Sequence, residues 1–342
     1  MNVWSETRRK RVTLRDVASL AGVSPSTASK ALNDRPGQVS AATRERVREV
    51  ADRLGFTPNV LAQSMHSRRT GTVGLITDDL EGRFSLPILM GAEDAFGAHR
   101  TSVFLCDGRG DPIRESHHLK ALIGRDVDGL IVVGARPDAR ASLSHQVPVP
   151  VVYAYAPSQN PNDLSVVTDN VQAGKLVGDH LVALGIRHIV HIAGDATYSA
   201  AQERHRGVVE ALRAHDLSLA SPTMFGSWTE TWGRAATRSL LEGSADVDAI
   251  IAGSDRIARG VLEAAQQRGL RIPEDIAVAS FDNWEPLVSG AQPPLTSVDF
   301  GFKLIGRRAA QLLSQALDGP PPAHLVETVG PRLVIRESSA GA

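Results

Sequence analysis

The chain has 342 residues, a formal net charge of −1, 42% hydrophobic and 4% aromatic side chains, and one cysteine. That length asks for two or three domains, and a single cysteine excludes an internal disulfide framework and fits a reducing compartment. No apolar run approaches the roughly 18 residues of a membrane span. No apolar h-region follows the basic start "MNVWSETRRKRVTLRDV", so a cytoplasmic protein with no membrane partner is expected. Charge is unevenly spread. Residues 1–68 hold 12 Lys/Arg and 6 Asp/Glu, a net of +6, whereas the remainder holds 25 and 32, a net of −7. A basic head on an acidic body points to a polyanion as partner of the head alone.

The head reads as three helices. Leu14, Val17, Ala18 and Ala21 follow i, i+3, i+4, i+7 spacing behind a Thr13 cap, and Gly22 stops that helix. Ser24 caps the next, with Pro25 at its first position, where a missing N–H costs nothing. The second helix runs to Leu32 and buries Ala28, Ala31 and Leu32. After the turn-rich "NDRPGQ", Ser40 caps a third helix with Val47, Val50, Ala51 and Leu54 on its apolar face, and Gly55 ends it. Two helices joined by so short a glycine turn make a helix-turn-helix. Its second helix enters the DNA major groove, N-terminal residues toward the bases. Small side chains let it sink, and Ser26, Ser29 and Lys30 share the outward face. The stretch from Thr57 to Gly71 reads as a linker, and two helical turns over Asn59–Met65 are too short to stand alone in water.

After Gly71 the pattern becomes "TVGLIT", "TSVFLC", "DGLIVVG", "VPVVYAY", "HIVHIAG", "DAIIAGS" and "IAVASFD", short apolar runs separated by helical stretches. This alternation predicts parallel strands covered on both faces. "SVVTDN" near Asp169 divides two similar sets, so two doubly wound lobes with a cleft are expected, and "PPLTSVDF" and "RLVIRES" are expected to cross between them. Ligands in such folds sit at the carboxyl ends of strands. Asp79 and Phe84 follow the first strand, and Asp255 and Asp282 follow later ones. Carboxylates at these places suit the paired hydroxyls of a sugar. No nucleophile elbow, P-loop or dinucleotide fingerprint is present, and His188 and His191 lie three apart in a strand, poor metal-ligand geometry. No catalytic residue, metal or cofactor is assigned, and the protein is read as not an enzyme.

"VTLRDVASLAGVSPSTASKALN" resembles the N-terminal signature of the LacI/GalR family of bacterial transcription regulators, and "TRERVREVADRLGFTPNVLAQSM", "GSDRIARGVLEA", "RIPEDIAVASFDNWE" and "IGRRAAQLL" continue the match. The resemblance implies an all-α helix-turn-helix head over 1–58, a hinge over 59–70 and an α/β core over 71–342. That core would have two doubly wound parallel-sheet lobes, periplasmic-binding-protein-like. The first lobe takes 71–167 and 297–328, the second 168–296 and 329–342. The resemblance also implies a repressor that acts as a homodimer on a near-palindromic double-stranded operator, nucleoid-associated, with its affinity controlled by a sugar-like effector.

Residue by residue, the resemblance puts Pro25, Ser26 and Lys30 at base-reading positions. Lys30 stands for the frequent Arg, a point donor in place of a fork. Thr13, Ser24, Thr27, Ser29 and Asn33 take positions that anchor phosphates or the helix itself. In the hinge, Asn59 opens the short helix, Ala62 faces the minor groove, and Met65 replaces the leucine wedge. In the core, Arg204 matches an arginine that holds effector and Trp228 an aromatic that stacks on it. Trp284 adds a second aromatic face, and Ser254 stands where Asn is frequent. The tail "RESSAGA" lacks the leucine-rich helix of the family's tetramers, so a dimer is expected. A free-standing sugar receptor would need a signal peptide and no basic head, and both conditions are violated.

Overall fold

The computed structural model describes residues 12–32, 39–57, 69–80, 83–97, 101–243, 246–320 and 324–340. The expectations for Asn33, Asn59, Ala62 and Met65 lie outside these residues. Contacts divide the chain into two compact units, 1–70 and 71–342.

In the first unit, helices α1 (Leu14–Leu20), α2 (Pro25–Leu32) and α3 (Ala41–Leu54) enclose a small core of Val17, Ala18, Ala21, Ala28, Ala31, Val47, Val50 and Ala51. The caps are those the sequence encodes. Thr13 and Asp16 form a reciprocal capping box, with Asp16 Oδ2 accepting from the Thr13 backbone N–H at 2.8 Å. Ser24 Oγ accepts from the Thr27 N–H at 3.1 Å, and Ser40 caps α3. Between α1 and α2 the chain turns at Gly22, whose φ of 66° is the left-handed region that glycine enters without a Cβ penalty.

The second unit holds two six-stranded sheets. The first runs β11-β5-β4-β3-β1-β2 and is parallel throughout. Its strands are β1 (Thr72–Thr77), β2 (Ser102–Asp107), β3 (Gly129–Val133), β4 (Val151–Tyr155), β5 (Leu164–Thr168) and β11 (Val326–Val329). The second runs β12-β10-β9-β8-β6-β7, from β6 (Ile189–Ala193), β7 (Met224–Phe225), β8 (Ala249–Ala252), β9 (Ala277–Phe281), β10 (Thr296–Asp299) and β12 (Arg332–Val334). Only β12 is antiparallel to its neighbour there.

Continuous apolar runs are buried on both faces, as a helix-covered parallel sheet requires. Leu75 and Ile131 face one core with Ile88, whereas their neighbours Ile76 and Val132 face another with Leu119 and Leu122. The covering helices of the first lobe are α4 (Ser85–Gly97), α5 (Pro112–Ile123) and α11 (Phe302–Asp318). Those of the second are α6 (Asn170–Ala183), α7 (Ser199–Ala214), α8 (Glu230–Glu242) and α9 (Asp255–Gln267). Two single-turn helices, α10 (Glu285–Val288) and α12 (Glu337–Ala340), complete it.

The chain passes between the lobes after Thr168, after Asp299 and after Val329. The second crossing corrects the boundary expected at 296/297. β10 pairs with β9 through Thr296, Ser297 and Val298, so Ser297–Asp299 belong to the second lobe. The breaks expected at about 167 and 328 fall after Thr168 and Val329, which still pair with each other.

Three helix pairs cross at glycines on both partners, α4 with α11 at Gly91 and Gly306, α6 with α7 at Gly174 and Gly207, and α8 with α9 at Gly233 and Gly260. A methyl on Gly306 would overlap the Ile88 backbone carbonyl, which cannot rotate aside. Gly306→Ala is therefore expected to destabilise the protein by about 1–3 kcal/mol despite the better helix propensity of alanine. The urea midpoint checks this, and an unchanged midpoint would contradict the crossing.

Candidate functional site

On α2, Ser24, Pro25, Ser26 and Lys30 are exposed, Thr27 and Ser29 half-buried, and Ala28 and Ala31 turned to the core. Ser24 has local work, its hydroxyl lying 2.9 Å from Ser26 Oγ and 2.8 Å from Thr27 Oγ1. Thr13 is similarly committed to Asp16. The outward surface left for a partner is small and polar, with one cation, Lys30, in the last turn.

At the junction of the lobes the central group is Asp282, at the end of β9. Its backbone φ is 103° and that of Asn283 is 48°, a turn that costs of order 1–3 kcal/mol and must be held. It is held from several sides. The Asp282 N–H donates to Val298 O at 2.9 Å, the Asn283 N–H to Ser297 Oγ at 3.0 Å, and Arg336 Nη2 to Asn283 Oδ1 at 2.8 Å. The Trp284 N–H donates to Asp255 Oδ2 at 2.7 Å.

This turn aims a carboxylate with no exposed surface at two guanidiniums. Arg204, on α7, reaches Oδ1 at 3.1 Å with Nη2. Its Nη1 donates to Gly253 O at 2.7 Å and its Nε to Asn170 Oδ1 at 3.0 Å. Arg83, from the loop after β1, brings Nη2 to 2.9 Å from Oδ2 across the lobe junction. Aromatic rings surround the charges. Phe84 packs on Tyr155 and Phe302 at centroid distances of 4.7 and 4.6 Å, and Arg204 lies 4.7 Å over Phe300. Burial holds the Tyr155 phenol well above its ordinary pKa. A second bridge joins the lobes where the Ser199 N–H donates to Asp138 Oδ1 at 3.1 Å and Arg136 lies 4.9 Å over the Tyr198 ring. Beside the junction opens a cavity of about 670 Å³, lined by Arg83, Asp282, Trp284, Phe302, Gly330 and Arg332 among others.

The expected effector residues therefore separate. Asp282 and Trp284 line the cavity, Phe84 packs at its wall, and Arg204 stands behind Asp282. Trp228 is half-buried, its ring 5.8 Å from Tyr198, and its Nε1 is buried without a hydrogen bond among the described residues. Asp79 is half-buried, with its backbone fixed by Thr77 Oγ1 and Ser85 Oγ. Ser254 and Asp255 are engaged within the second lobe. Ser254 is fully buried and caps α9, accepting from the Ile257 N–H. Both Asp255 oxygens are occupied, Oδ1 by Ser280 and Ser297 hydroxyls at 2.6 Å each and Oδ2 by the Trp284 N–H. A strand end that opens a helix needs a cap, and Ser254 supplies it, whereas Asp255 ties the helix start to β9, β10 and the turn at Trp284. Burial, and next the Asp282 carboxylate, push Asp255 up to about 7. Arg83, Asp138, Tyr155, Tyr198 and Phe302 were not foreseen. Only Phe302, in "DFGF" at a lobe crossing, carried a readable signal.

A sequence profile for bacterial regulatory proteins of the lacI family matches residues 13–59, and one for a periplasmic binding protein-like domain matches 178–339. The HTH-type transcriptional regulator CelR of Thermobifida fusca is 34% identical over 97% of this chain and 99% of its own length. Catabolite control protein A of Priestia megaterium is 31% identical over 96% and 99%. Among solved structures, a CelR–cellobiose complex superposes with a TM-score of 0.67 at 32% identity, covering 96% of this chain and 100% of that one. The lac repressor dimer bound to operator and the anti-inducer ONPF gives 0.78 at 26%, covering 96% and 99%.

Proposed function

The chain belongs to the lacI family of bacterial regulatory proteins, and from that premise we propose that it is a sequence-specific repressor whose hold on its operator is set by a sugar-like effector in the junction of the lobes. The observation that carries the effector reading is the Asp282 carboxylate, held in a strained turn where both lobes reach it. A relative solved with cellobiose supports a polar ligand of that size. A homodimer is part of this reading. Leu86 and Met90 on α4, Phe104 on the edge strand β2 and Ile113 at the start of α5 stand exposed, as an apolar contact face would.

Control works as a population shift. Two lobe arrangements differ in how they present the paired heads to DNA, and a ligand moves the balance only by its difference in affinity for the two. Fluorescence anisotropy on an operator selected from random duplexes, with and without sugars, tests this. Operator affinity that no small metabolite alters would end the effector reading.

The head makes a separate prediction. Lys30→Ala is expected to cost about 1–3 kcal/mol on the preferred operator and to relax discrimination at one base pair. Neutralising Arg8, Arg9, Lys10 and Arg11 is expected to weaken all sequences alike and to flatten the salt dependence. A base-substitution panel that responds identically to both variants would contradict the assignment.

A further inference from the structure

We propose that Arg83 selects the effector, making the cleft a receptor for a sugar that carries an anionic group, carboxylate or phosphate, beside its hydroxyls. This rests on the effector reading above and names the chemistry of the ligand. Asp282, the carboxylate placed to accept sugar hydroxyls, has a guanidinium at each oxygen, Arg204 at 3.1 Å and Arg83 at 2.9 Å. One negative charge faces two positive ones. Elsewhere around the cavity Arg332 pairs with Asp299 and Lys303 with Asp94, and the Glu285 carboxylate accepts from the Ser289 hydroxyl and pairs with neither guanidinium. Asp255, directly behind, has both oxygens engaged by the Ser280 and Ser297 hydroxyls and the Trp284 N–H and pairs with neither guanidinium.

The two guanidiniums are not equivalent. Arg204 is locked by three acceptors. Arg83 meets Oδ2 as an ion pair without hydrogen-bond alignment, so Oδ2 accepts no hydrogen bond among the described residues. That oxygen is the acceptor a ligand hydroxyl would take, and taking it displaces Arg83. A neutral sugar leaves the Arg83 side chain, only 13% exposed, without its counter-charge. Stranding a desolvated charge is costly. The ring of Phe84, 4.8 Å from the guanidinium, favours its staying at the cleft wall. An anionic substituent removes the penalty, because the planar fork of Arg83 transfers from Asp282 to a carboxylate or phosphate and binds it bidentately. The hydroxyls of the same ligand then meet Oδ2, while Trp228 Nε1 and Asp138 Oδ2, buried without hydrogen bonds among the described residues, offer a donor and an acceptor.

The test titrates the full chain with matched triads: glucose, glucuronate and glucose 6-phosphate, then galactose, galacturonate and galactose 6-phosphate. Binding is read by calorimetry and by release or retention of operator. An anionic member is expected to bind about tenfold or more tightly than its neutral counterpart, and its identity separates carboxylate from phosphate. In Arg83→Gln, which must first show a cooperative melt, that preference is expected to collapse while the neutral sugar binds no worse. A neutral sugar that binds the natural chain as tightly as its acidic forms would overturn the proposal, as would an undiminished preference in Arg83→Gln. Binding by no member of either triad would remove the sugar reading and this inference together.

Discussion

Replacing Arg204 with methionine is expected to lower the stability of the 71–342 unit by about 3–5 kcal/mol, the usual cost of removing one partner from a buried ion pair. The residue is 2% exposed and its guanidinium satisfies three groups at once, the Asn170 amide oxygen, the Gly253 carbonyl and Asp282. Methionine fills much of the volume against Phe281 and Phe300 but donates nothing. Asp282 would keep only the unaligned contact from Arg83, and the strained turn would lose its main electrostatic anchor. Arg204→Lys keeps the charge yet cannot serve three acceptors in a fixed fork, so it is expected to recover only part of the loss. Urea unfolding followed by tryptophan fluorescence measures this, since Trp228, Trp232 and Trp284 all report on this unit. A loss below about 1 kcal/mol for methionine, the range of an exposed pair, would show that Arg204 is not the node its geometry implies.

The second large effect is a pair of opposed proton linkages. His191 on β6 has no exposed surface and neither ring nitrogen has a hydrogen bond among the described residues; burial, with His205 stacked at 5.9 Å, depresses it from 6.5 to about 3. Below pH 6.5 the unfolded chain takes up a proton that the folded chain refuses. The contribution of His191 is therefore complete above pH 6.5 and is lost as pH falls toward 3. The slope is about 1.4 kcal/mol per pH unit, about 5 kcal/mol in all. Asp255 runs the other way. Raised from 3.8 to about 7, it keeps its full contribution below pH 3.8 and loses it as pH climbs through 7, about 4 kcal/mol in all. Between about pH 4 and 6.5 the two slopes cancel. His191→Leu is expected to expose the Asp255 slope, so that stability falls as pH rises across that window relative to the natural chain. Asp255→Asn is expected to do the reverse. Denaturation midpoints at several pH values decide it, and slopes matching the natural chain in both variants would refute the linkage.

Long apolar strands were legible before any coordinates. β1, β3, β4, β6, β8 and β9 are dominated by apolar residues and buried on both faces, with isolated polar exceptions such as His191 in β6 and Ser280 in β9. β2 is also legible in "TSVFLC", whereas β5, β7 and β11 are not, for a physical reason. β5 carries Ser165 and reads as a divider, β7 has two residues, and β11 alternates as an edge does, so none accumulates enough pattern. Asp282 is readable from its place at a strand end, Arg204 and Trp228 only through the family resemblance, and at the junction Arg204 lies 3.1 Å from Asp282 and 5.9 Å over the Trp228 ring. At Ser254 position alone is ambiguous, because a strand end that starts a helix calls for the same residue types whether they cap or bind. Arg83 left no trace, since a loop arginine acquires its partner only when two separately folded sheets meet.

The three passages of the chain between lobes bear on how the protein is made. Neither sheet is complete until the last strands emerge. β11 closes the edge of β5, and β12 closes the edge of β10, with α11 covering the first lobe only after most of the second has been synthesised. A nascent chain on the ribosome therefore carries two unfinished edges at once, each able to pair with a neighbouring polypeptide. A chain that stops before residue 323 would leave both lobes open, so it should yield aggregates and not a shortened regulator.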